Sequence, residues 1–392
     1  MRALEVLIVF LRLGLTSFGG PVAHLGYFRA EFVARRRWLD EPSYAGIVGL
    51  CQFLPGPASS QVAMALGLMR AGLAGALAAF IGFTAPSALL MTGFAYLIAS
   101  LGDVSNAPWI HGLKIAAVAV VAQAVWSMAR NLAPDLPRAA IAAASAAIAL
   151  LLPSAFGQIA ALVLGGAAGW LLLRHLAGTA QPPLALSVRR PLSRAALALF
   201  FVLLIGLPFA AALGHPLALF AAFYRAGALV FGGGHVVLPL LQQAVVVPGW
   251  IGKSTFLAGY GAAQAVPGPL FSFAAFLGAA MHGVPSGWQG ALLCLLAIYL
   301  PSVLLVIGAL PLWNAAQSHP AMRAALAGIN ASVVGLLFAA LCTPVWTGAI
   351  FGWRDFAIAL AALSLLVIPK APSWLVVLFC ALAATAVTAL SR

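Results

Sequence analysis

The chain is written twice. Arg12, Gly14 and the triplet Phe18-Gly19-Gly20 recur as Arg225, Gly227 and Phe231-Gly232-Gly233, at a constant offset of 213. Trp38, Gly49, Gln52 and Pro55-Gly56-Pro57 recur as Trp250, Gly261, Gln264 and Pro267-Gly268-Pro269, at an offset of 212. Pro86-Ser87 returns as Pro301-Ser302, and Gly112 as Gly328. Spacing kept over roughly a hundred residues marks a duplication, so whatever one half folds into, the other must match. The halves are residues 1–176 and 214–392. Between them, 177–213 reads as a linker with Pro182, Pro183, Arg189, Arg190 and Pro191, followed by one connecting span.

Composition decides the solvent. Apolar residues make up 64% of the 392, and charged ones 7%, where a soluble domain carries about a quarter charged. Twenty Lys and Arg against seven Asp and Glu give +13, and no acidic residue occurs from Leu136 to Arg354. Disordered chains are poorer in apolar residues, and a nucleic-acid binder concentrates its basic residues in a patch. The composition therefore reads as an all-α polytopic membrane protein with no nucleic-acid partner. Arg2 and the apolar run from Leu4 suggest a leader, but Glu5 and Arg12 interrupt that run, so it is kept as a membrane segment. Cys51, Cys294, Cys342 and Cys380 fall in apolar runs without zinc or redox spacing and read as packing residues.

Breaks at Pro, Gly and charge clusters give about 13 helical spans. They fall near 4–26, 43–70, 72–100, 108–130, 137–152, 154–175, 193–213, 216–245, 254–280, 287–312, 322–344, 349–368 and 372–390. An odd number of spans before the second half makes it antiparallel to the first, the inverted-repeat plan of many transporters. Loop Lys and Arg favour the N-terminal side except for Arg29, Arg35, Arg36 and Arg37 in the first loop. Re-entrant Pro-Gly-Pro segments would gather the basic residues better on one face. On this count they also make the halves parallel and put the N-terminus outside. The inverted arrangement is the one expected.

The run from Phe10 to Pro21, FLRLGLTSFGGP, then Gly26-Tyr27-Phe28-Arg29, Trp38-Leu39 and Gln52 to Gln61, QFLPGPASSQ, resembles the chromate ion transporter family. Phe231 to His235 and Gln264 to Pro269 resemble that family's C-terminal repeat. The resemblance spans nearly the whole chain, as a long two-repeat member. It implies a multi-pass protein of the bacterial inner membrane that exports chromate and confers resistance, with sulfate as a structural analogue. A sulfate or other oxyanion transporter, a channel-like anion pore and, more remotely, a lipid-handling enzyme stay open. A homodimer stays open too.

Arg12 and Arg225 lie within apolar spans, where an arginine costs about 2.5–3.5 kcal/mol. Snorkelling explains one such residue; the symmetric pair suits a tetrahedral dianion. Phe18-Gly19-Gly20 and Phe231-Gly232-Gly233 must interrupt their helices, and backbone freed at membrane depth survives only against protein or a cavity. Pro55-Gly56-Pro57 is a stronger break: the helix restarting after it offers free N–H groups to an anion, with Ser59 and Ser60 adding donors. Gly268 and Ser272 hold the corresponding places in the second repeat among phenylalanines, so the first repeat is expected to be the more polar partner. Gln52 and Gln264 are repeated amides, equally fit for the site or for a helix–helix hydrogen bond. Glu5, Lys114, His24 and His235 are candidates for coupling or for shaping the field. Nothing matches a hydrolase triad, a metal-ligand set or a phosphate loop, so no enzyme activity, metal or cofactor is expected.

Overall fold

The computed structural model describes residues 2–18, 20–101, 107–174, 188–231, 237–283, 285–369 and 371–390. These are all-helical, without a strand among them. Gly19, Gly232, Gly233 and His235 lie outside the described residues, as does the linker over 177–187. Among the described residues five helices are long and apolar enough to cross a membrane and others are apolar but shorter, against about 13 expected spans.

The difference begins at the first two expected spans, each of which is a hairpin. Helix α1 (Arg2–Thr16) ends before the glycine pair, and α2 (Gly20–Phe28) with a π-helical turn (Arg29–Arg35) leads back beside it. Phe10 meets Phe28 at 5.6 Å and Phe32 at 5.0 Å between ring centroids. Near the start of α1, Glu5 meets Arg36 at 3.5 Å. The chain then enters again. Asp40 accepts from the Ser43 N–H to cap α3 (Glu41–Phe53), and Pro42 sits in its first turn, where a missing N–H is harmless. After Pro55-Gly56-Pro57, α4 (Ala58–Ser100) has a first arm, 58–70, that leads back to the same end. There Arg70 pairs with Glu5 at 3.0 Å and lies over the Trp38 ring at 4.9 Å. Glu5, Arg36, Arg70 and Trp38 thus clamp the outer ends of both hairpins together.

At Ala71 and Gly72 helix α4 turns sharply. Its two arms touch so closely that a Cβ on Gly67 would sit 2.2 Å from the Gly75 carbonyl oxygen. The second arm, 73–100, runs beside α1, with Gly14 against Gly82 and Phe83, and continues to the opposite end of the molecule. Helices α5 (Pro108–Leu132), α6 (Leu136–Leu151), α7 (Ala155–Leu172) and α8 (Arg190–Ala210) follow.

The second half repeats this plan with α9 (His215–Ala228), α10 (Val237–Leu241) with a π-helical turn (Gln242–Val246), and α11 (Lys253–Ala263). A 3-10 turn and α12 (Phe273–Ala280), then α13 (Gly287–Ser318), α14 (Pro320–Ala340), α15 (Trp353–Val367) and α16 (Ser373–Leu390) complete it. Its hairpins start from the other end. The Trp288 N–H at the start of α13 donates to the Tyr96 hydroxyl near the end of α4 at 2.8 Å. His111, in the first turn of α5, meets Asp355 of α15 at 2.8 Å.

Lipid removes the hydrophobic drive between helices, so close contact through small residues does the packing. Gly165 and Gly169 of α7 fit against Gly328 and Ser332 of α14, and Gly335 of α14 against Ala142 of α6. Outward faces carry Leu89, Leu164, Val202 and Leu382, all more than half exposed.

Candidate anion site

The breaks in the helices meet one another across the duplication. The Gly56 N–H donates to the Val230 carbonyl at 2.6 Å, and the Gly268 N–H to the Ser17 carbonyl at 2.9 Å. Gly56 and Gly268 are equivalent, and so are Ser17 and Val230. Each Pro-Gly-Pro tip is therefore plugged into the break of the other repeat's first helix. Both glycines have positive φ, 126° and 95°, which a side chain would strain. A Cβ on Gly56 would also fall 2.3 Å from the Ser302 Oγ.

Around the first tip lies a buried polar cluster. Ser59, Ser60 and Gln61 open the first arm of α4 and are 3% exposed or less, with the free N–H groups of that helix start beside them. The Gln61 amide donates to the Pro55 carbonyl at 2.7 Å. The Tyr299 hydroxyl has the hydroxyls of Ser60 and Thr84 beside it. None of those three meets another group in good hydrogen-bond geometry, and Ser302 Oγ, Ser17 Oγ and Gln61 Oε1 are likewise without a partner among the described residues. A buried polar group left so costs about 1–3 kcal/mol, and a fold that gathers several in one place carries a destabilisation that a hydrogen-bonding ligand relieves.

The second tip is drier on one side and open on the other. Ser272 Oγ donates to the Pro269 carbonyl at 2.8 Å, among buried Phe271, Phe273 and Phe276. Its open side is a cavity lined by Gly20, Gln123, Gln264, Gly268, Leu270 and Ser373. The expectation that the repeats differ chemically rested on Phe271 and Phe273.

The structure separates the remaining candidates. Pro55, Gly56, Pro57, Ser59, Ser60, Gly268, Ser272, Gln264 and Gly20 come together at the tips. Arg12 does not join them: it is exposed on α1 in the row of Leu4, Ile8, Leu11 and Leu15. Its equivalent Arg225 is half-buried and lines a separate cavity with Gln158 and Gln243. Gln52 is exposed on α3, unlike Gln264. Glu5 is held in the clamp by Arg36 and Arg70, far along α1 from the break. Lys114 is buried in α5, and His24 is buried with its ring edge-on to Phe83 at 5.2 Å. Thr84, Tyr299, Gln123 and Ser373 were not singled out from sequence, and Ser302 stood only in the repeated Pro86-Ser87 and Pro301-Ser302 pairs, beside Thr84 and Tyr299.

The sequence model of the family described as Chromate transporter matches residues 4–170 and 217–385, which are the two repeats. The chain belongs to the chromate transporter family. It is 31% identical to a chromate transport protein of Pseudomonas aeruginosa over 84% of this chain and 77% of the relative. A probable chromate transport protein of Synechococcus elongatus is 27% identical over 85% and 82%, respectively. A chromate transport protein of Cupriavidus metallidurans is 26% identical over 86% and 81%. No solved structure matches the chain. Membership in this family and the apolar helices make it a multi-pass membrane transporter.

Proposed function

We propose that the protein carries chromate out of the cell across the bacterial inner membrane and so confers resistance, binding the ion where the two Pro-Gly-Pro tips meet. The observation that carries this reading is the reciprocal pair of amide bonds, Gly56 to Val230 and Gly268 to Ser17, with unsatisfied hydroxyls gathered beside the first of them. Backbone irregular at membrane depth belongs where a substrate is handled.

The halves are inverted repeats in this proposal, and the hairpins are what reconcile inversion with charge. The α1–α2 and α3–α4 hairpins enter and leave at one end, and their counterparts do so at the other. The second arm of α4 and α5 to α8 then cross between them, an odd number. Arg29, Arg35, Arg36, Arg37, Arg70, Arg130, Arg138, Arg174, Arg189, Arg190 and Arg323 all fall at the end where α1 begins. Lys253 and Arg354 mark the other. The positive-inside rule puts the first end, with the N-terminus, in the cytoplasm. Rocking of one repeat's hairpins against the other's would part the tips toward each side in turn.

The test is flux of chromate in proteoliposomes of the purified protein, with sulfate, molybdate and phosphate as competitors. Saturable chromate flux inhibited by sulfate is the expected result. Flux that does not saturate belongs to a pore, and saturable sulfate flux that excludes chromate identifies another oxyanion as the cargo.

A further inference from the structure

The duplication extends into a motif that the interlocked tips do not themselves use. Thr84-Ala85-Pro86-Ser87 in the second arm of α4 corresponds to Tyr299-Leu300-Pro301-Ser302 in α13, at an offset of 215. Thr84 and Tyr299 are thus the same position in the two repeats, and the fold brings them together: the Tyr299 hydroxyl has those of Thr84 and Ser60 beside it. All three residues are 1% exposed, and none of the three hydroxyls has a partner in good hydrogen-bond geometry. The Tyr299 ring is held between Phe80 at 5.0 Å and Phe271 at 5.8 Å. The packed ring therefore fixes the position of its hydroxyl.

We propose that Thr84, Tyr299 and Ser60 are the specificity-determining donors of the site, gripping the transported oxyanion from both repeats and favouring a tetrahedral ion that carries no proton. This rests on the reading that the tips are the substrate site. An unprotonated ion such as chromate or sulfate accepts from every hydroxyl at once. Hydrogenphosphate presents one P–O–H, and whichever hydroxyl meets it must accept rather than donate. That hydroxyl then turns its own proton toward a neighbouring hydroxyl instead of toward the ion. One donor to the ion is lost. A buried hydrogen bond lost in this way changes selectivity by about tenfold or more. The asymmetry of Thr against Tyr sets the span between the donors: a long rigid arm from one repeat and a short one from the other.

The experiment is chromate transport by the purified, reconstituted full chain at about pH 8, where phosphate is mainly doubly charged, with phosphate as competitor. Tyr299→Phe removes one oxygen and keeps the ring. It is expected to raise the chromate KM about tenfold while phosphate inhibition stays nearly as it was, so that the chromate-to-phosphate ratio falls by about the same factor. Thr84→Val and Ser60→Ala are expected to act in the same direction, and Ser60→Ala supplies the reading if either larger substitution fails to insert. A raised KM with the ratio unchanged overturns the assignment of specificity and leaves the site in place. An unchanged KM and ratio in all three variants overturns both this assignment and the site at the tips.

Discussion

The Gly268 amide donates to the Ser17 carbonyl, and its counterpart Gly56 donates to the carbonyl of Val230, the residue equivalent to Ser17. Each repeat thus closes the break in the other. Neither half has a complete centre alone, because the N–H comes from one repeat and the carbonyl freed by the broken helix comes from the other. A duplication that only doubled the helices would not need this exchange.

Substitution of the tip glycines tests the exchange directly. Gly56→Ala places a methyl group against Ser302 Oγ and Gln61 Nε2 and strains a backbone at positive φ by about 1–2 kcal/mol. Gly268→Ala meets the Ser87 hydroxyl at the less severe distance of 3.1 Å. Both should lower chromate flux, Gly56→Ala more than tenfold and Gly268→Ala less, with membrane levels checked by a C-terminal fluorescent tag. Equal, near-wild-type fluxes would show that the tips are not part of the path.

The two repeated arginines should behave unequally. Arg12 lies on the outward face of α1, so Arg12→Leu is expected to keep most of the transport activity. Arg225 lines a cavity with Gln158 and Gln243 and no acidic side chain, a setting in which a cation favours an approaching anion. Arg225→Gln is expected to raise the chromate KM severalfold. The check is the concentration dependence of chromate uptake for both variants side by side.

At the end where α1 begins, Glu5 bridges Arg36 and Arg70. Its counterpart in the second repeat is Ala218, and the counterpart of Arg70 is His282. The carboxylate clamp is therefore particular to the first repeat. Glu5→Gln leaves two guanidinium groups facing each other and should lower the thermal unfolding midpoint in detergent by a few degrees, an effect of about 1 kcal/mol for a partly exposed network. Ala218→Glu in the other repeat has no arginine to meet and should not raise it.

The same end gives a pH dependence. Burial works to raise the Glu31 carboxyl, but hydrogen bonds from Arg36 and Arg35 outweigh it and hold the group below its ordinary value. A carboxyl lowered on folding contributes stability that is complete above its unfolded value and is lost as pH falls through the folded one. Unfolding midpoints should thus be flat above about pH 5 and fall toward pH 3, and Glu31→Gln should remove part of that slope.

Much of the architecture was legible in the sequence, and what was not has a physical cause. The duplication, the helix breaks and the membrane solvent followed from Phe18-Gly19-Gly20, Pro55-Gly56-Pro57 and the lack of charge. The hairpins did not: re-entry at Pro-Gly-Pro stood beside the spanning reading and was not the one expected, because a span broken in the middle and a hairpin turned there have the same length and composition. What tells them apart is where Glu5, Arg36 and Arg70 meet, a contact between residues 65 positions apart. Arg12 and Arg225 looked equivalent because the repeat pattern records position in a helix and not which face is covered; neighbouring helices leave one exposed and half-bury the other. Thr84 and Tyr299 escaped notice because one hydroxyl within an apolar helix means little until a second is placed against it.

The central claim is that the ion is a dianion held by uncharged donors and driven outward by the membrane potential. A cell negative inside favours its exit by about 2.3 kcal/mol per charge per 100 mV, or about 4.6 kcal/mol for a double charge. The most direct measurement is chromate uptake into inside-out vesicles under an imposed potential. Uptake is predicted to rise when the lumen is made positive, and to rise little under a pH gradient with the potential clamped at zero by potassium and valinomycin. Full accumulation driven by the pH gradient alone would contradict the account and make proton coupling, through His24 or Glu5, the mechanism instead.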